Sequence, residues 1–303
     1  MVCRWIGNPI NGPENLRAIG LVIAAMAGFA VADYFVKIAA RTTSSAEMIL
    51  IMGVAGAALL AVLTWRSGQP VFSRVFLARA VLLRNGAEAF GTICLISALA
   101  LAPLSLVSAI TQATPLVVTI GAALFLGETI GPRRWIAVLV GLAGVLLILR
   151  PDATGISLGA LLALGAVLGL AAGDIATRRV PRIASNLQLA TYSFGTLIPT
   201  GLIFMALRGA VPTSGGFELA MLLTATACAA AGYYALTAAI RLGDVSLVTP
   251  FRYSRLLFAL LIGVLLLNER PDAMTLIGAA IVIGSGIYVV LRERQLSRRA
   301  VSP

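Results

Sequence analysis

The chain has 303 residues, of which 59% are hydrophobic and 12% charged, with a net charge of +11 and no histidine. So little polar surface excludes a soluble fold of this length, and apolar runs of about 20 residues match the ~30 Å hydrocarbon core of a bilayer. Three cysteines (Cys3, Cys94, Cys228) without a CxxC or a metal-ligand cluster point to neither metal nor cofactor.

The first segment, MVCRWIGNPINGPEN, lacks the apolar core of a signal peptide. Apolar spans follow at about 17–40, 46–65, 78–101, 104–126 and 133–150, then at 156–177, 187–207, 217–240, 245–267 and 273–292. Ten membrane-crossing helices are predicted, because open sheet edges do not survive in lipid and the alternation of barrel strands is absent. The fold class is therefore all-α integral membrane. The tail RQLSRRAVSP is basic and expected to fray.

The positive charge reads as topology, and no nucleic-acid partner is expected. One side of the membrane receives both termini together with Arg4, Arg17, Arg66, Arg74, Arg79, Arg133, Arg134, Arg178, Arg179, Arg182, Arg241, Arg292, Arg294, Arg298 and Arg299. The other receives Lys37, Arg41, Arg150, Arg208 and Arg270, a ratio of 15 to 5. The excess of positive charge places both termini in the cytoplasm.

The chain repeats itself at an offset of 141. Leu101, Ser105, Leu106 and Val107 match Leu242, Ser246, Leu247 and Val248; Glu128 matches Glu269, and Gly91 matches Gly232. Asp33, Lys37 and Arg41 match Asp174, Arg178 and Arg182, while Ala24, Gly28 and Ala32 match Gly165, Gly169 and Gly173. Small residues at every fourth position let helix backbones approach closely in lipid. Five spans per copy is an odd number, so the second copy enters from the opposite face. Such inverted repeats build secondary transporters with a substrate site near the midplane. The predicted organisation is a cytoplasmic segment at 1–16, repeats at 17–150 and 151–292, and a cytoplasmic basic tail at 293–303.

The stretches 113–151 (ATPLVVTIGAALFLGETIGPRRWIAVLVGLAGVLLILRP) and 248–294 (VTPFRYSRLLFALLIGVLLLNERPDAMTLIGAAIVIGSGIYVVLRER) resemble the drug/metabolite transporter superfamily, in its ten-helix EamA branch. The resemblance covers about residues 18–294. It implies a central cavity lined by spans 1–4 and 6–9, with spans 5 and 10 peripheral. It also implies a bacterial inner-membrane carrier without ATP-binding parts, and the chain has no Walker-type motif.

Charges present in both halves read as scaffold; charges in one half only are better site candidates. Asp33/Lys37 and Asp174/Arg178 are i,i+4 pairs suited to intrahelical salt bridges, structural or gating. Glu128 and Glu269 close spans 4 and 9 and are expected to accept backbone or loop hydrogen bonds. By contrast, Arg84 and Glu88 fall opposite Ala225 and Ala229, and Arg252 and Arg255 opposite Thr111 and Thr114. Intramembrane charges of this kind are functional candidates by default. Glu88 and Arg255 each lie ten residues into a span that starts at the cytoplasm, hence ~15 Å deep.

Two readings of these charges stay open. Glu88 and an arginine form an ion pair that fixes spans 3 and 9, or the arginines bind a carboxylate, phosphate or carbonyl-rich substrate while Glu88 balances charge or takes a proton. Gln112, the mate of Tyr253, joins the substrate-binding candidates with Tyr253, Asn85, Tyr233 and Tyr234; one of the two adjacent tyrosines should face inward. The favoured function is transport of a small polar or amphipathic metabolite by alternating access: an amino acid or derivative, S-adenosylmethionine, or a flavin-like vitamin. A multidrug or toxic-metabolite exporter is the alternative, although Arg252 and Arg255 would repel a lipophilic cation. A membrane enzyme is more remote, and a sensor would usually bring an output domain. The expected partners are the substrate and the lipid bilayer, with proton coupling at Glu88 in one reading and a monomer or homodimer as the assembly.

Overall fold

The computed structural model describes residues 13–127, 131–149, 156–177, 179–180, 184–209, 213–242 and 249–301. The helices are α1 (Pro13–Ala39), α2 (Ser45–Arg66), α3 (Arg79–Leu101), α4 (Leu104–Thr111), α5 (Thr114–Leu126) and α6 (Pro132–Leu149) in the first half. The second half holds α7 (Leu158–Thr177), α8 (Asn186–Arg208), α9 (Gly216–Leu242), α10 (Ser254–Leu267) and α11 (Ala273–Val301). Short 3₁₀ turns at Arg74–Leu77 and Thr249–Tyr253 lead into α3 and α10. No strand occurs among the described residues.

Seven stretches are long and apolar enough to cross a bilayer, and Trp135–Leu149 and Ala273–Val289 are shorter apolar helices. The tenth crossing is α3, whose hydropathy is lowered by Arg84, Asn85 and Glu88. Spans 4 and 9, which read as single helices, are broken. α4 stops at Thr111 and α5 restarts at Thr114 with Pro115 in its first turn; the 3₁₀ turn carrying Pro250 ends at Tyr253 where α10 begins. α11 runs into the basic tail as far as Val301.

The packing obeys the repeat. α1 packs on α9 and α3 on α7, which are the same contact with the halves exchanged. α2 packs on α8 and α6 on α11, contacts that map onto themselves. α10 joins α1, and α4 and α5 join α7, so each bundle draws helices from both halves. The close crossings also recur at 141. A Cβ added to Gly28 would stand 3.3 Å from the Cys228 carbonyl oxygen and 3.7 Å from Gly232 Cα. One added to Gly169, the mate of Gly28, would stand 2.5 Å from the backbone nitrogen of Gly91, the mate of Gly232. Gly127 (φ 69°) closes α5, and its mate Asn268 (φ 53°) closes α10, each in the left-handed region.

Replacing Gly169 by leucine therefore forces α3 and α7 apart. Overpacking of this kind costs roughly 1–3 kcal/mol or more, so the purified variant should melt well below the parent. Gly86 has nothing within 4 Å of an added Cβ, and Gly86→Ala should melt like the parent. Equal melting of the two variants would show that the crossing is not close-packed.

Candidate substrate site

Two charged clusters lie inside the bundle. The first joins α3, α7 and α8. Arg84, 3% exposed, pairs with Glu88 Oε1 at 2.8 Å one turn along its own helix. Its remaining donors go to Thr177 Oγ1 (2.9 Å), Asn85 Oδ1 (3.1 Å), the Leu189 carbonyl (3.2 Å) and Ser193 Oγ (2.6 Å). Ser193 in turn bonds Glu88 Oε2 at 2.5 Å. Gly173 makes the room: a Cβ there would stand 2.7 Å from Glu88 Cγ. Asn85 is buried, and its Nδ2 has no hydrogen-bond partner among the described residues.

The second cluster joins α1 and α10. Arg255 Nη2 lies 2.6 Å from Asp33 Oδ2, and its guanidinium sits 5.4 Å from the centre of the Phe29 ring. Such a cation over an aromatic face adds to the attraction when desolvated. Arg255 Nε and Ser254 Oγ are buried without a hydrogen-bond partner among the described residues. Arg252, half-buried one turn earlier, makes no hydrogen bond or ion pair to a described residue. Beside them Gln112 Nε2 donates to the Tyr253 carbonyl at 3.0 Å, so the two repeat mates touch each other at the paired helix breaks.

Several expectations are corrected. Asp33 and Lys37 do not pair along α1. Lys37 Nζ donates to the carbonyls of Leu99 (3.0 Å) and Ala102 (2.6 Å) at the end of α3, where helix carbonyls lack partners. That leaves Asp33 to the guanidinium across the interface. Glu88 does not meet Arg255, because equal depth fixes no direction: Glu88 points to α7 and α8, and Arg255 to α1. Tyr234 is 60% exposed on the outer surface of α9, whereas Tyr233 is half-buried with its hydroxyl 3.4 Å from the Asn186 carbonyl. Tyr253 is buried. Its hydroxyl packs on Gly286 of α11, where any Cβ would collide with it.

Glu269 accepts from the backbone of Leu104 (2.6 Å) and Ser105 (2.9 Å) and from Ser105 Oγ (2.7 Å), capping the start of α4. Asp174 is exposed on α7, near enough to Glu88 to act on it electrostatically. Glu128 and Arg178 lie outside the described residues. Thr177 and Ser193 escaped the sequence reading, which filtered only charges by symmetry. Their mates are Val36 and Met52, so the same filter applied to hydroxyls would have found both.

Two inverted five-span halves meeting around buried ion pairs define a secondary-transporter architecture. The comparison with known proteins agrees. The pattern of the EamA-like transporter family matches residues 16–150 and again 157–292. A riboflavin transporter of Rhizobium johnstonii is 31% identical over 224 residues, 74% of this chain and 72% of its own length. An S-adenosylmethionine uptake transporter of Rickettsia bellii is 27% identical over 67% of this chain and 69% of its own. The pseudopaline exporter of Pseudomonas aeruginosa is 26% identical over 89% and 95%. One crystal structure superposes on 94% of this chain and 99% of its own with a TM-score of 0.64 at 20% identity, a likeness of fold. The chain belongs to the EamA-like transporter family and is a multi-pass inner-membrane transporter of a small molecule.

A double-mutant cycle tests the pairing. Removing one member of a buried ion pair costs about 3–5 kcal/mol, because the other charge is left uncompensated. Asp33→Asn and Arg255→Gln should each lower the melting temperature, and the double variant should lose much less than their sum. Asp33→Asn with Lys37→Gln should be additive. Strong coupling in that second cycle would restore the intrahelical pair.

Proposed function

We propose that the protein takes up a neutral or zwitterionic metabolite built on a flat, carbonyl-bearing ring system, with riboflavin the first candidate. The observation that carries this reading is the charge balance of the interior. Asp33–Arg255 and Arg84–Glu88 each neutralise themselves, so these two clusters select for no large net charge, and half-buried Arg252 adds a cation suited to a carbonyl or carboxylate oxygen. Arg255 Nε, Ser254 Oγ and Asn85 Nδ2 are among the buried donors without a described partner, together with the hydroxyls of Thr43, Tyr192 and Tyr253. The first three, beside the ion pairs, call for acceptor oxygens, since an unmet buried donor costs about 1–3 kcal/mol. A flavin ring offers such carbonyls without charge, and the Rhizobium relative bears the name of a riboflavin transporter. S-adenosylmethionine is the second reading, favoured by Arg252, a cation suited to an amino-acid carboxylate.

In this reading Arg252, Arg255, Gln112 and Tyr233 form the binding face, and the Arg84–Glu88 cluster with Asn85 forms the opposing wall. Glu88 balances charge and carries the coupling proton. Both termini are cytoplasmic, and the protein moves its substrate without altering it chemically. A periplasm-only reporter fused to the C-terminus should stay silent.

The test is counterflow into proteoliposomes preloaded with unlabelled riboflavin or S-adenosylmethionine. Labelled riboflavin should accumulate transiently, and Arg255→Ala should reduce the signal at least about tenfold, the effect of losing a charged hydrogen bond in the bound state. Exchange of S-adenosylmethionine instead would select the second reading. Exchange of neither, by a protein that melts cooperatively, would overturn the proposal. Glu88→Gln should preserve counterflow and lose accumulation driven by a proton gradient; unchanged accumulation would remove Glu88 from coupling.

A further inference from the structure

The peripheral helices α6 and α11 run antiparallel and touch most closely where a Cβ on Gly144 would stand 2.9 Å from the Gly278 carbonyl oxygen. They still touch at Gly141 and Ser285. Toward the start of α6 a groove of about 400 Å³ lies between them, lined by Arg133, Ile136, Ala137, Val140, Ser285 and Tyr288. Its floor, Ala137 and Ser285, is buried. Its rims are open, with Ile136 61%, Val140 49% and Tyr288 44% exposed. Arg133 stands exposed in the first turn of α6 and makes no hydrogen bond or ion pair to a described residue.

We propose that this groove binds an anionic diacyl phospholipid, with the phosphate at Arg133 and one acyl chain laid along Ile136, Val140 and Tyr288. Three observations single out this occupant. An apolar slot with one cation at its mouth matches a headgroup joined to a chain, whereas a free anion would gain nothing from the apolar walls. Arg133 also stands where the exposed amides of a helix start favour negative charge. The sequence further places Arg134 beside it, and Arg292 and Arg294 follow Tyr288 on the end of α11 that meets the start of α6. Basic pockets between membrane helices attract anionic headgroups in this way.

A second copy of the chain fits the groove less well. Two protomers in one membrane would pair about an axis along its normal. That would bring the same basic helix ends of both copies together, and like charges would repel.

The test uses full-length protein stripped of lipid in a mild detergent, read by native mass spectrometry and thermal melting. Phosphatidylglycerol should form a one-to-one adduct and raise the melting temperature; phosphatidylethanolamine should bind more weakly. Arg133→Gln should weaken the phosphatidylglycerol adduct about fivefold, the effect of one basic residue near an anionic headgroup. Val140→Trp, which fills an open groove without entering the core, should abolish the adduct while melting without lipid like the parent. The proposal is overturned if both variants bind phosphatidylglycerol as the parent does, or if inorganic phosphate stabilises the protein equally. It also fails if a dimer survives delipidation and is dissolved by Val140→Trp.

Discussion

Inside the hydrocarbon of a bilayer no water is at hand to complete a hydrogen bond, so each helix end and each charge must find a partner within the protein or line a wet cavity. That constraint does more here than dictate helices. At the end of α3 the carbonyls of Leu99 and Ala102 have no intrahelical donors, and Lys37 supplies one. At the start of α4 the amides of Leu104 and Ser105 have no acceptors, and Glu269 supplies both. A cation serves the negative end of one helix and an anion the positive end of the next, as the helix dipoles favour. Two side chains thus let spans 3 and 4 be joined by a connection of only Ala102 and Pro103.

The same constraint explains where the repeat breaks down. Backbone contacts need only glycine, so the crossings at Gly28/Gly232 and Gly169/Gly91 are copied in both halves. Charges need a specific partner, and the two halves solve that differently. Asp33 meets Arg255 of span 9, while its mate Asp174 has only Thr114 at the equivalent position. Arg84 and Glu88 are met by Thr177 and Ser193, hydroxyls whose mates are the apolar Val36 and Met52. At the Arg84–Glu88 cluster the asymmetry extends to the partners, whereas Arg255 is met by Asp33, a carboxylate that both halves carry.

This difference also marks what could be read from the chain. Span positions follow from hydrophobic length, and the small-residue stripes at a shared offset mark helix faces that pack closely, so both were legible; which helices meet there comes from the packing. Polar partners were not. Asp33 and Lys37 sit at ideal helical spacing, yet each prefers a group on another helix, and the Asp33–Arg255 pair spans 222 residues of sequence. Spacing along a helix reports what two side chains can do when nothing else competes. In a packed bundle, the unmatched carbonyls of α3 and the guanidinium of Arg255 compete and win. The breaks in spans 4 and 9 were half legible. Pro115 and Pro250 signal them, but only the packing shows that the two breaks meet through Gln112.

The contacts also separate what must move from what need not. One bundle gathers α1, α9 and α10, and the other α3, α4, α5 and α7. Asp33–Arg255 lies within the first, and Arg84–Glu88 with Thr177 lies within the second, so both ion pairs survive any motion that keeps the bundles rigid. Lys37 to α3 and Glu269 to α4 run between the bundles, and both sit at the same end of the molecule. Any motion that separates the two bundles at that end must break those bonds. Gln112 to Tyr253 also runs between the bundles, but it joins repeat mates. A contact between mates lies on the pseudo-twofold axis, where exchanging the roles of the two halves leaves it in place. Alternating access in such folds swings one part against the other around a fixed midplane site. The Gln112–Tyr253 contact meets the geometric condition for that pivot, and the unpaired donors of Ser254 and Arg255 lie immediately beside it.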